Sequence, residues 1–273
     1  MKGHKGCVNR VCWDPNNASL VASISADQSL RLWDVRSQTS IAELSFSQFT
    51  GKNVNLCWHP DGSTLAVGNL DNVVSFVDVK TFKRVNQMSF PSLAGGAGGQ
   101  QKSQSQKKQL KELNEMCWNM KGNLFFVTTG TGAVEVLSYP TLETMIELNG
   151  HVAPVYCITM DPTGKHFATG GTDAIVSLWD LEEGACVSSF SNVDSPVRTL
   201  GFSHCGNYLA YASEEKSIYF VDACSGKPLH EEQTMSRIQQ LAFSPTSDLI
   251  AYVGDTEREK GKDVLTLARV PTV

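Results

Sequence analysis

The feature that most constrains this chain is a pattern of residues that recurs along it. One copy opens at Gly150-His151 and closes at Trp179-Asp180, and another opens at Gly3-His4 and closes at Trp33-Asp34. A large apolar residue also recurs at spacings of 45, 60, 42, 42 and 41 residues, at Trp13, Trp58, Trp118, Met160, Phe202 and Phe243. This period indicates a repeat architecture in which each copy forms one supersecondary unit.

Within one copy the pattern predicts strands rather than helices. Residues 165–182 consist of short apolar runs, and Gly and Asp separate these runs at spacings too short for an ordinary helix. The tetrapeptides His59-Pro-Asp-Gly62 and Asp161-Pro-Thr-Gly164 carry turn chemistry, because Pro presets φ and Gly tolerates positive φ. Four strands in a period of about 42 residues predict the blades of a β-propeller.

The Gly-His pair, the Trp-Asp pair and the period together resemble the WD40-repeat family. The resemblance implies an all-β propeller, with six recognisable blades and a single domain over residues 1–273. The first unit starts at residue 3, and the last ends without a clear fourth strand. We therefore expect a seven-bladed family whose N-terminal blade is missing from this chain. A compact six-bladed ring is the alternative.

In the WD40 family a His, a Ser or Thr, an Asp and a Trp form a buried hydrogen-bonded chain inside a blade. The resemblance assigns these roles, and the acidic position of the second unit, to His4, Ser25, Asp27, Trp33, Asp71, His151, Asp173 and Trp179. The fourth unit has Gly171 where the hydroxyl is expected. A His–Ser–Asp set also suggests a hydrolase triad. The set recurs with the repeat, however, which favours a structural role, and we expect no catalytic residue.

Composition excludes several classes of function. The net charge of −5 gives no electrostatic footprint for tight nucleic-acid binding by the whole chain. No apolar run approaches the length of about 18 residues needed to span a membrane, and the N-terminus lacks a signal-peptide core, which predicts an intracellular protein. The eight cysteines include no C-x-x-C pair, and three of them occupy equivalent strand positions, at Cys12, Cys57 and Cys117. We expect no disulfide, no metal site and no cofactor.

Residues 91–111 interrupt the repeat and explain the 60-residue spacing. They are rich in Gly, Ser, Gln and Lys, which predicts a disordered loop between two blades. The alternative is a contact segment in which lysines touch RNA backbone or an acidic partner, through Lys102, Lys107, Lys108 and Lys111.

Longer segments carry a closer resemblance. They are residues 53–78, 164–180 and 195–204, together with Leu137-Ser-Tyr-Pro140 in place of a Trp-Asp pair. The chain is similar over about residues 3–253 to the family of WD40 subunits of the THO complex, part of the TREX assembly. The resemblance implies a non-catalytic nuclear scaffold that couples transcription to mRNA processing and export. Its partners would be other THO/TREX subunits, with RNA contact indirect or weak, no membrane and no small-molecule substrate.

Propeller geometry suggests which residues contact partners. Side chains at the entry of a unit's first strand, and those just before a turn aspartate, are expected to face the rim. The candidates are Arg10, Asn55, Arg198 and Thr172. Arginine is enriched at interface cores, which makes Arg198 the strongest candidate. The alternative is that Arg198 pairs with a carboxylate of a neighbouring blade.

Three other functions remain open from the sequence. The first is another WD40 scaffold, such as a chromatin-complex subunit or a ubiquitin-ligase substrate receptor. The second is an enzyme, which would need a nucleophile with a base or a metal cluster; no ligand-like spacing exists among His59, His166, His204 and His230. The third is a propeller that binds RNA directly, with salt-sensitive affinity.

Overall fold

A computed structural model describes residues 2–45, 52–90, 112–255 and 263–269, and the regular secondary structure of these residues is entirely β-strand. The chain divides into two compact units, residues 1–113 and residues 114–273. The six sheets are meanders in which strands that follow one another in sequence are neighbours. The prediction of an all-β fold with six blades is confirmed. A single domain over 1–273 stays a prediction, and the insertion at 91–111 lies outside the described residues.

The first compact unit, residues 1–113, contains two four-stranded blades. Blade one consists of β1 (Val8–Trp13), β2 (Leu20–Ser25), β3 (Ser29–Asp34) and β4 (Thr39–Ser45). Blade two consists of β5 (Asn53–Trp58), β6 (Thr64–Asn69), β7 (Val73–Asp78) and β8 (Lys83–Ser89).

The second unit contains three blades of four strands and one of three. Blade three consists of β9 (Leu113–Trp118), β10 (Leu124–Thr129), β11 (Ala133–Ser138) and β12 (Thr144–Asn149). Blade four consists of β13 (Val155–Met160), β14 (His166–Gly171), β15 (Val176–Asp180) and β16 (Cys186–Phe190). Blade five consists of β17 (Val197–Phe202), β18 (Tyr208–Ser213), β19 (Ser217–Asp222) and β20 (Pro228–Gln233). Blade six consists of β21 (Ile238–Phe243), β22 (Leu249–Asp255) and β23 (Asp263–Arg269).

The turn between the first and second strands of a blade follows the predicted chemistry. In four blades a glycine at the same position has a φ between 72° and 76°, at Gly62, Gly122, Gly164 and Gly206. The glycine N–H donates to the carbonyl oxygen three residues earlier, for example from Gly164 to Asp161 over 2.9 Å. This conformation is left-handed, and glycine adopts it without a steric penalty.

Within each unit the hydrophobic core lies between successive blades. In the first unit Leu56 and Trp58 of β5 pack in one cluster with residues of β2 and β3 in blade one, namely Ala22, Ile24, Leu30 and Leu32. In the second unit the corresponding cluster joins Leu241 of β21 to Ile218 and Phe220 of β19. Each first strand is therefore covered by the second and third strands of the preceding blade within these pairs.

Blade four contains a buried hydrogen-bonded chain. The indole N–H of Trp179 donates to Thr169 Oγ1 over 2.9 Å, and the Thr169 hydroxyl lies 2.8 Å from His151 Nε2. His151 Nδ1 in turn lies 3.0 Å from the Asp173 carboxylate. One proton at each link satisfies every group: the hydroxyl donates to Nε2, and an Nδ1–H donates to Asp173. The chain thus joins β14, β15, the turn between them and the segment before β13.

The hydroxyl of this hydrogen-bonded chain comes from a different position than the sequence suggested. Gly171 occupies the position at which the hydroxyl was expected, yet blade four does contain a hydroxyl, at Thr169. Phe167 pairs with Trp179 across β14 and β15, so Thr169, two residues further along the strand, is the diagonal neighbour of the indole on the same face. The expectation of an incomplete chain in blade four was wrong.

Blade one shows the same correction. Ser23, not Ser25, accepts the Trp33 indole N–H over 2.7 Å and lies 2.7 Å from His4 Nε2. The cause is again the strand register, because Trp33 pairs with Val21 and Ser23 is the diagonal neighbour. Ser25 instead accepts the backbone N–H of Asp27 over 3.1 Å and closes the turn between β2 and β3.

In blade two a side-chain amide occupies this turn. The Asn69 side-chain oxygen accepts the backbone N–H groups of Asp71 and Val73, each over 3.0 Å. Asp71 itself is half-buried. Its membership of a hydrogen-bonded chain like those of blades one and four stays a prediction.

The Asp27 carboxylate of blade one is held by several donors. Burial by itself would raise its pKa. The Ser29 hydroxyl, the backbone N–H groups of Lys5 and Ser29, and His4 together outweigh that effect and hold the pKa well below the ordinary value of 3.8. The donor distances are short, at 2.7 Å from both Lys5 N and the Ser29 hydroxyl. The ionised form of Asp27 is therefore more stable in the folded chain than in the unfolded chain.

We expect Asp173→Ala to lower the free energy of unfolding by roughly 1–3 kcal/mol, because it leaves His151 buried without its acceptor. Chemical denaturation followed by tryptophan fluorescence measures this change. The control is Asp194→Ala, at an exposed position of the same unit, which should change the free energy by no more than about 0.5 kcal/mol. Equal stability of the two variants would show that His151 and Asp173 are not coupled.

The lowered pKa of Asp27 also predicts that the stability of the fold depends on pH. A folded-state pKa below the unfolded value gives stability that is present above pH 3.8 and is lost as the pH falls through the folded-state pKa. Asp27→Asn cannot lose a proton and lacks this contribution at every pH. The unfolding midpoints of the two proteins should therefore differ most near neutral pH and converge in acid. A difference that is constant from pH 7 to pH 3 would contradict the assignment.

Candidate functional site

The entry of the first strand carries a β-bulge in blades one, two, four, five and six. In blades four, five and six the pairing skips the second residue of the strand, which is Tyr156, Arg198 and Gln239 respectively. A bulged residue is left out of the ladder and its side chain is redirected. The same skip occurs in blades one and two, at the residues between Val8 and Arg10 and between Asn53 and Asn55.

The bulge separates the predicted contact residues into two kinds. Arg198 is the bulged residue of β17, and its side chain is 42% exposed. Asn55 is the residue after the bulge in β5, and only 5% of it is exposed. The prediction of Asn55 as a contact residue was therefore wrong, because its position is turned into the fold. Arg10 occupies the same position in β1 and is half-buried, and its contact role stays a prediction.

Thr172 lies in the turn between β14 and β15, as expected. Its backbone N–H and its hydroxyl both donate to the Pro154 carbonyl oxygen, over 2.9 and 3.3 Å. Thr172 is half-buried, and these bonds hold the turn against the segment that enters β13. Partner contact by this residue stays a prediction.

Arg198 makes two contacts at once. Its Nε donates to Glu214 Oε1 over 3.0 Å, with a further ion pair from Nη2 to the same oxygen. Its guanidinium carbon also lies 4.4 Å from the centre of the Tyr156 ring, a cation–π distance. The carboxylate belongs to blade five itself, in the turn between β18 and β19, and the neighbouring blade contributes the aromatic ring. The alternative of an ion pair with a neighbouring blade is therefore replaced by an ion pair within blade five.

A second arginine completes this site. Arg237 lies just before β21 and borders, with Arg198 and Glu214, a groove of about 280 Å³. The hydrogen bond and charge of Arg198, and then the charge of Arg237, hold the pKa of Glu214 below its ordinary range. We call Tyr156, Arg198, Glu214 and Arg237 the blade-entry cluster. It carries two guanidinium groups against one carboxylate, on a chain whose net charge is negative.

The loops beside the blade-entry cluster are accessible. Val152, before β13, is 93% exposed, and Met235, before β21, is 98% exposed. Apolar tips next to guanidinium groups and an aromatic ring form the mixture of side chains that is common at protein interfaces. The arrangement can bind a polypeptide that presents carboxylates and apolar groups.

Another groove of the second unit lies at the opposite ends of the strands. It measures about 530 Å³, and its lining includes Lys121, Lys165, Asp180 and Glu182. Positive and negative side chains alternate there, so the groove has no net preference for an anionic or a cationic ligand. The blade-entry cluster is therefore the better-defined candidate.

In the described part of the chain, no group of three or more His, Cys, Asp or Glu residues could hold a metal ion. Two of the histidines outside the repeated motif are engaged in turns: His59 Nδ1 lies 2.6 Å from Asp61, and His204 lies 3.3 Å from Asp248. Residues 2–45, 52–90, 112–255 and 263–269 also include no helix that could cross a membrane.

The site as described does not include the lysines of the insertion. Lys102, Lys107, Lys108 and Lys111 lie outside the described residues, and their contact role stays a prediction.

Sequence reasoning missed Tyr156 and Arg237. Tyr156 carries a signal, because it precedes Arg198 by one period of 42 residues. Arg237 lies before the strand and has no such counterpart.

Comparison with known proteins agrees with this fold. The family model "WD domain, G-beta repeat" matches residues 1–34, 44–78 and 142–180. THO complex subunit 3 of Arabidopsis thaliana is 38% identical over 260 residues, which cover 95% of this chain and 76% of that protein. WD repeat-containing protein AAC3 of Dictyostelium discoideum is 31% identical over 268 residues, or 96% of this chain. Protein TEX1 of Saccharomyces cerevisiae is 26% identical over 226 residues, or 81% of this chain.

Two of these relatives are much longer than the region that they share with this chain. The matched region spans 51% of both the Dictyostelium and the yeast protein. The Arabidopsis relative combines an identity above 30% with a match along most of both sequences. The chain therefore belongs to the family of WD40-repeat proteins that includes THO complex subunit 3.

Proposed function

We propose that this chain is a non-catalytic scaffold subunit of a THO-type complex, acting in the nucleus in mRNA processing and export. The observation that carries the proposal is the 38% identity to THO complex subunit 3 along 95% of the chain. A similarity of this extent includes residues outside the repeated motif. The repeated motif alone would support any WD40 scaffold, including a chromatin-complex subunit or a ubiquitin-ligase substrate receptor.

The mechanism of a scaffold is the presentation of rigid surfaces. The blade-entry cluster supports this role because Arg198 is fixed on both sides, by Glu214 and by the Tyr156 ring, before any partner arrives. A side chain that is already ordered loses little conformational entropy on binding. Its partner is a protein surface with carboxylates that replace or share the Glu214 contact. With a net charge of −5, contact with RNA is indirect.

The test of the complex is affinity purification of the tagged chain from nuclease-treated nuclear extract, with mass spectrometry of the proteins recovered. Recovery of the large THO subunits is the expected result. Recovery of a different stable complex would overturn the THO assignment and leave the WD40 fold. Recovery of chaperones alone would mean that this chain does not assemble.

We expect Arg198→Glu to lower the recovery of THO subunits roughly tenfold, the effect of losing about 1.4 kcal/mol at an interface arginine. Arg198→Lys should give an intermediate loss, because an ammonium group keeps the charge but not the planar face that stacks on Tyr156. The matched control is Lys121→Glu, the same type of charge reversal at an exposed position at the other ends of the strands. Equal recovery with both glutamate variants would place the partner surface elsewhere.

A further inference from the structure

The fourth strand of a blade is the outer edge of its sheet. In each of the five described blades that have four strands, the pairing of this strand with the third strand skips one residue. The skipped residue forms a β-bulge, and its side chain is redirected away from the ladder. In four of these blades it is a large apolar residue that is 54% to 64% exposed, namely Ile41, Val85, Met145 and Val187. The surroundings of this side chain distinguish one blade from another.

Blade three carries a second exposed apolar side chain beside the bulge. The residue after the bulge is Ile146 in blade three, and it is 46% exposed. In the other blades this residue is small or polar, namely Ala42, Asn86, Ser188 and His230. The turn that leads into β16 lies against Ile146, because a Cβ added at Gly184 would lie 3.6 Å from Ile146 Cδ1. The outer strands β12 and β16 belong to the same compact unit and therefore adjoin in one surface. We call Met145, Ile146 and Val187 the outer patch.

The outer edge of blade four lacks charged side chains. β16 is the last strand of its sheet, and within the described residues it pairs only with β15. Of the five fourth strands, β16 alone contains no Asp, Glu, Lys, Arg or His. Charged residues on an edge strand discourage another chain from pairing with its open backbone groups. After the bulge at Val187, the pairing with β15 is regular over residues 188–190, which leaves a short regular edge.

The charges around the outer patch have one sign. Residues 139–149 and 180–194 include β12, β16 and the turns that precede them. They contain six acidic residues, two in the first range and four in the second, and neither Lys nor Arg. The outer edge of blade one differs, because residues 34–45 contain Arg36 as well as two acidic residues. Electrostatic complementarity therefore favours a basic partner at the outer patch, and it disfavours a second copy of this chain, whose outer patch has the same charge.

We propose that the outer patch binds an extended segment of a partner protein in which apolar residues alternate with Lys or Arg. Alternate side chains of an extended segment point to the same face, so its apolar residues can all contact the outer patch. The long basic side chains between them can reach the surrounding carboxylates, including Glu182 and Glu183. Addition of a strand to an open sheet edge is an established mode of peptide recognition.

The apolar contacts supply most of the affinity, because the regular edge of β16 has only three residues. The inference does not rest on membership of a THO-type complex. It also concerns a different partner chemistry from that of the blade-entry cluster, which meets carboxylates.

The test is the binding of a fluorescent peptide of alternating Leu and Lys to the purified chain, followed by fluorescence anisotropy. We expect saturable binding that weakens as salt is added. Val187→Asp and Met145→Asp should each raise the dissociation constant roughly tenfold, because each places a charge in an apolar contact. The matched control is Ile41→Asp, at the bulge of β4, where the exposure is the same 54% as at Val187, and it should leave binding unchanged. Equal unfolding temperatures establish that the variants are folded.

Two further comparisons separate charge from pattern. Glu183→Lys should weaken binding, whereas Glu112→Lys, an equal charge reversal at an exposed position before β9, should not. A second peptide of the same composition, with its leucines at helical spacing, should bind roughly tenfold more weakly, because these leucines do not share one face of an extended chain.

Four results would overturn the proposal. One is a peptide that does not bind, and another is an equal loss of binding in the Ile41→Asp and Val187→Asp proteins. Equal binding of the two peptides would show that the occupant is not an extended segment. Self-association of the unmodified chain that Val187→Asp abolishes, measured by sedimentation velocity, would assign the outer patch to a second copy instead.

Discussion

The packing of one blade's first strand against the sheet of the preceding blade is the constraint on which the rest of the structure depends. A four-stranded sheet of this size cannot bury its apolar face by itself, and the described blades do so in sequence-adjacent pairs. The large residues that first revealed the period, among them Trp58 and Phe202, are members of these clusters. The period is visible in the sequence because the packing is repeated.

Hydrogen bonds act at a second level, inside the blade. The chains from Trp33 to Asp27 and from Trp179 to Asp173 tie the turn between the second and third strands to the segment that enters the first strand. A further hydrogen bond acts in the same turn, where Thr172, next to Asp173, donates to the carbonyl oxygen of Pro154, two residues before Tyr156 of the blade-entry cluster. The polar core of a blade thus sets the position of the loops that a partner can reach.

The fold was predictable because its signals are local and repeated. Turn glycines and apolar runs identify six blades without reference to long-range contacts. The misassignments, in contrast, depend on register. Ser25 and Ser23 lie on the same face of β2, and only the pairing of Val21 with Trp33 decides which hydroxyl reaches the indole. The bulge has a similar effect at strand entries, because one inserted residue exchanges the outward and inward positions. Arg198 lies at the bulge and is exposed, whereas Asn55 lies one position after it and is buried.

The bulged position has a consequence for how such a protein changes over time. Its residue takes no part in the ladder, and the chain places there an asparagine, a valine, a tyrosine, an arginine and a glutamine, at Asn9, Val54, Tyr156, Arg198 and Gln239. Such chemical variety at one structural position means that the blade accommodates polar, apolar, aromatic and charged side chains there. Mutation can therefore revise what the surface recognises, one blade at a time, while the scaffold beneath it stays under separate selection.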